Sequence, residues 1–73
     1  SNKVKDAIMG LDEDPPKGDE LDVFNDFLLK MINGIPHEEG KNVYNETLRH
    51  ISNKNIKSIL EEIYIENHWY TEY

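Results

Sequence analysis

Three histidines, His37, His50 and His68, are the side chains best suited to hold a metal ion or to move a proton near neutral pH. They stand 13 and 18 positions apart, and the chain has no cysteine. None has a second histidine at the short spacing that sets two ligands on one helix face. The pattern predicts no metal site and no cofactor. His68 differs from the other two in its surroundings, because Tyr64, Trp69 and Tyr70 lie close to it in the chain.

Carboxylates are more abundant. Asp12, Asp14, Asp19, Glu20 and Asp22 invite comparison with a calcium loop, which needs oxygen ligands at alternate positions and a glycine at the sixth. Counted from Asp12, the fifth position is Pro16 and the sixth Lys17, so the pattern fails. Glu38-Glu39 and Glu61-Glu62 are adjacent pairs, and neighbours in a helix point in different directions instead of converging on one proton. Ser52 and Ser58 lack the context of an activated nucleophile, and no glycine-rich phosphate loop is present. The expectation is a protein without catalytic residues, not an enzyme.

What remains is recognition. Residues 12 to 22 contain six acids and one lysine, a net charge of −5, whereas the whole chain carries −7. Clustered charge of this kind reads either as a solvated linker or as a surface that steers a basic partner. A second cluster, Tyr64, His68, Trp69, Tyr70 and Tyr73, crowds aromatic side chains near the C-terminus. Tyr and Trp are enriched at binding hot spots, although the same residues can close a helical core. The candidate partner-binding residues are therefore Asp12, Glu13, Asp14, Asp19, Glu20, Tyr64, Trp69, Tyr70 and Tyr73, with Trp69 and Tyr73 the expected exposed anchors.

These residues must be carried by a small scaffold. A chain of 73 residues has room for one domain and one core. No apolar run approaches the roughly 20 residues that span a bilayer, and no signal-peptide pattern opens the chain. The expectation is a soluble protein, cytoplasmic rather than secreted. Negative net charge repels phosphates and anionic lipid, which argues against direct nucleic-acid or membrane binding.

Helical periodicity dominates the chain. Val4, Ala7, Ile8 and Leu11 fall on one helix face, with Gly10 where that helix would stop; this predicts a short first helix over about Asn2 to Met9. Leu11 to Gly18 contains Pro15 and Pro16 among acids and reads as an exposed linker, 11–18. Asp19 is a suitable N-cap for a second helix, in which Leu21, Phe24, Phe27, Leu28 and Met31 form an apolar stripe that ends at Asn33-Gly34. Val23, Leu29 and Ile32 widen the stripe and predict that this helix is the most buried. A third helix should start at Pro36 and end near Ile51, and a fourth should carry Ile56, Ile59, Leu60 and Ile63, running on toward Trp69 and Tyr70.

The reading is an all-α fold, a small three- to four-helix bundle in one domain, 1–73. Its core is three helices with the short first helix packed on them. Its expected role is a small acidic protein-binding module, of inhibitor, immunity or antitoxin-like type, for a basic protein partner. The alternative is an excised helical domain that docks within a larger protein or self-assembles as a homodimer.

Overall fold

The computed structural model describes residues 2–72. It is all-helical there: α1 (Asn2–Glu13), α2 (Glu20–Asn33), α3 (His37–Leu48) and α4 (Lys54–Glu66), with no strand among the described residues.

The first helix is longer than its sequence suggests. Gly10 does not stop α1, because it is a site of close approach: the Asn55 side chain of α4 lies where a Cβ would project. The helix continues through Leu11, which packs on the core, to Glu13, and Asp14 N–H closes the last turn on Gly10 O at 3.0 Å. Pro15 then ends it, since a residue preceding proline is disfavoured in the α region. The expected linker 11–18 is thereby corrected: residues 11–13 are helical, and the connection runs from 14 to 19.

α2 ends as its sequence predicts, with Gly34 at φ 93° and its N–H on Met31 O at 3.2 Å. Its start differs from expectation. Asp19 takes the N-cap position but its side chain makes no capping bond. In α3, Pro36 precedes the helix instead of opening it, and the segment after Leu48 tightens into turns in which His50 N–H reaches Thr47 O and Ile51 N–H reaches Leu48 O. Ile51 is therefore buried in the core from outside the helix.

The fourth helix closes in a way its sequence conceals. Trp69 N–H bonds to Tyr64 O at 3.2 Å and His68 N–H to Ile65 O at 3.0 Å, the pair of bonds that defines a Schellman stop. His68 occupies the left-handed position, φ 55°, where glycine is usual because a Cβ is strained there. The chain reverses at His68, and Trp69 turns back onto the bundle. The expectation that α4 runs on through Trp69 is corrected.

α1 and α4 are antiparallel. Lys3, early in α1, pairs with Glu61 late in α4 at 2.9 Å, while Gly10 meets Asn55 at the start of α4. α3 also lies antiparallel to α4, with Tyr44 stacked on Tyr64 and Gly40 against Trp69. The first helix is thus a full member of the bundle, packed chiefly on α4, and not an appendage to a three-helix core. Ala7, Phe24, Phe27, Ile51, Ile56, Ile59, Leu60 and Trp69 form the core. Phe27, Ile56 and Leu60 are completely enclosed, each side chain contributing about 1.5–3 kcal/mol by leaving water. No helix is long and apolar enough to cross a membrane among the described residues.

Candidate functional site

The two ends of the acidic connection meet at one asparagine. Asn53 is the N-cap of α4: its Oδ1 accepts from Asn55 N–H at 2.9 Å and Ile56 N–H at 3.1 Å. Its Nδ2 donates to Asp14 O at 2.8 Å, which fixes the end of α1. Its own backbone N–H donates to Glu20 Oε1 at 2.9 Å, which fixes the start of α2. Asp12, Glu13, Asp14 and Asp19, all exposed, lie in the last turn of α1 and in the connection that follows it, whose two ends Asn53 ties down.

Glu20 has a different role from the other acids. It is buried, 8% exposed, and its Oε1 accepts from Ser52 N–H and Ser52 Oγ as well as from Asn53. The backbone N–H groups of Asn53 and Ser52 hold its carboxyl below the usual carboxylate range, because they favour the charged form. The expectation that Glu20 faces a partner is corrected: its charge is spent on the loop before α4. Lys17 and Arg49 lie beside this hub, and Arg49 leans toward Glu46 at 3.5 Å.

The aromatic cluster divides in two. Trp69 is 4% exposed, edge-on to Phe27 with ring centroids 6.3 Å apart, and its indole lies over Gly40. It belongs to the core, which corrects the expectation of an exposed anchor. Tyr64 is half-buried, stacked on Tyr44 at 4.5 Å, and Tyr70 packs on Tyr64 at 6.2 Å while remaining 50% exposed. His68 Nδ1 and Tyr70 Oη are hydrogen-bonded at 2.7 Å. Burial pushes the Tyr44 phenol above its ordinary value. Tyr73 lies outside the described residues.

Sequence reasoning missed a third surface. Leu21 is 51%, Leu29 56% and Ile32 79% exposed, so α2 is not the most buried helix but one with an apolar outer face; Ile8 and Met9 of α1 are exposed as well. The signal was present in the width of its pattern. Phe24, Phe27 and Met31 point to the core, and at about 100° per residue Leu21, Leu29 and Ile32 lie well outside that arc.

A groove of 490 Å³ separates α2 from α3, lined by Val23, Phe27 and Val43 with Asp26, Lys30 and Glu46 among its polar residues. Its charges are of both signs, so it selects no ligand by charge. No group of three or more His, Asp or Glu is placed to hold a metal ion among the described residues. Comparison with protein-family models, with curated proteins and with solved structures gives no match to the chain.

Proposed function

We propose that this chain is a small acidic interaction module that binds a basic protein partner, in the manner of an inhibitor, immunity or antitoxin-like protein. The observation that supports this reading is the exposure of Asp12, Glu13, Asp14 and Asp19 in a segment whose two ends are tied to Asn53 through Asp14 O and the Glu20 carboxylate. Charges on an anchored scaffold raise the association rate of an oppositely charged partner and lose that effect as salt is added. Their placement beside a polar hub already satisfied by Glu20 leaves the exposed acids without a structural duty in the core.

The test is comparative capture at low salt with the chain and with a variant in which Asp12 and Asp14 are changed to Asn, Glu13 to Gln and Asp19 to Asn. A basic protein retained by the parent, released by salt and lost by the variant is the expected result. Equal retention by the two proteins rejects the reading.

The exposed Leu29 and Ile32 support a second reading, docking or self-assembly through an apolar helix face. Size exclusion with light scattering at two concentrations separates the two readings, because only self-assembly makes the mass depend on the concentration of this chain.

A further inference from the structure

α2 presents Leu21, Leu29 and Ile32 to solvent, with Leu28 half-buried between them and the core. On a helix with 3.6 residues per turn, positions 21, 28, 29 and 32 share one face over about three turns, roughly 16 Å from end to end, with the exposed Asn25 between Leu21 and the other three. Exposed apolar side chains grouped on one helix face are poorly solvated, and such grouping is a mark of interaction surfaces. Helix propensity does not require it: positions 21, 29 and 32 could carry Lys, Gln or Glu at equal or better propensity.

The rim of the stripe is acidic. Asp22 and Asp26 flank Leu29 on α2, being seven and three residues before it, and both are exposed. Asp19 sits at the N-terminal end, in the connection that Asn53 ties down. Lys30, the basic residue of α2, lies one turn after Asp26, and both line the groove toward α3. This edge of the stripe carries Asp19, Asp22 and Asp26 against the one Lys30, a net negative border that favours a cationic occupant.

A second copy of this chain fits that border poorly. A copy would bring the same Asp22 and Asp26 edge to the pairing and supply no excess of basic side chains to meet it. Two chains of net charge −7 would also repel over the whole approach. An extended peptide fits no better, since a helix face offers no unpaired backbone groups for strand addition. A helix with apolar residues at three- and four-residue intervals and Lys or Arg beside them satisfies both the stripe and its border.

We propose that the outer face of α2, formed by Leu21, Leu28, Leu29 and Ile32 and bordered by Asp22 and Asp26, is the docking site for a cationic amphipathic helix of a protein partner. This rests on the acidic-module reading and names the surface and the partner chemistry for it.

The test uses the full chain and two labelled peptides of equal charge, an amphipathic Leu/Lys helix and a Ser/Lys control, with binding followed by fluorescence anisotropy at low salt. The Leu/Lys peptide is expected to bind at least about tenfold more tightly than the control, a difference of about 1.4 kcal/mol. The double variant L29S/I32S should bring its affinity down to that of the control while the melting temperature stays near the parent's. Amide chemical-shift changes in the parent should be largest within residues 21–32, a readout that needs no variant to fold.

Equal affinity for the two peptides, no binding of either, or shifts confined to other helices overturns the α2 site. The acidic-module reading survives equal affinity if the Asp12, Glu13, Asp14 and Asp19 variant still weakens binding. It fails separately if binding ignores both salt and that variant yet is lost in L29S/I32S. A concentration-dependent dimer abolished by L29S/I32S makes a second copy the occupant and overturns the proposal.

Discussion

The indole of Trp69 rests on the bare backbone of Gly40, filling the space that any side chain at that position of α3 would need. This contact joins the chain after α4 to the first turn of α3, and it requires both the left-handed turn at His68 and the missing Cβ of Gly40.

Gly40→Ala should therefore destabilise the domain. Alanine gains about 1 kcal/mol in helix propensity over glycine, but displacing a packed ring costs about 1–3 kcal/mol and can cost more. The net expectation is a loss, accompanied by a red shift of the single tryptophan's fluorescence as the indole meets water. Chemical denaturation followed at the same wavelength checks both. A more stable variant with unchanged emission would show that the ring is not held against position 40.

Gly10 and Asn55 form the corresponding contact between α1 and α4, and the Asn55 Nδ2 there is buried without a hydrogen-bond partner. Gly10→Ala alone should cost about 1–3 kcal/mol by overlap with that amide. Asn55→Ala makes room and removes the unsatisfied donor. A double-mutant cycle should then show coupling of at least about 0.5 kcal/mol, with the double variant more stable than the sum of the single changes predicts. Simple additivity would place the two residues out of contact.

Glu20→Gln should lower stability at neutral pH by weakening the hold on the loop before α4. The folded carboxyl titrates below its ordinary value of 4.5, so its stabilising effect is complete above that pH and disappears as pH falls through the folded value. Melting curves of parent and variant should differ from neutral pH down to about the ordinary carboxylate range and converge in more acidic solution. A gap that persists unchanged into solution more acidic than that range would reject an electrostatic role for Glu20.

His68→Gly should stabilise the domain by about 0.5–1 kcal/mol. Glycine removes a left-handed strain of about 1–2 kcal/mol, offset in part by its greater freedom in the unfolded chain and by the loss of the bond to Tyr70 Oη. Thermal unfolding is the measurement, and a lowered midpoint would mean that the His68–Tyr70 pair outweighs the strain.

Much of this molecule was legible in its residues. Apolar recurrence at three and four positions predicts helices wherever the structure has them, and Asn33-Gly34 marks the end of α2, because these features depend on local backbone geometry alone. The concentration of acids between residues 12 and 22 is likewise a property of the sequence. Partner choice among side chains is not. Gly10 and Gly40 have the composition of helix breakers, yet both lie inside helices, because Asn55 and Trp69 come to them from elements distant in the chain.

The same reason separates Glu20 from its acidic neighbours and Trp69 from the exposed aromatics. A carboxylate is buried only where donors converge on it, and those donors belong to Ser52 and Asn53, more than 30 residues away. Which of the apolar positions of α2 are enclosed depended on how many neighbours the bundle could supply. Local pattern is enough to specify four amphipathic helices and one acidic segment, whereas long-range packing selects which side chains the core encloses and which stay at the surface.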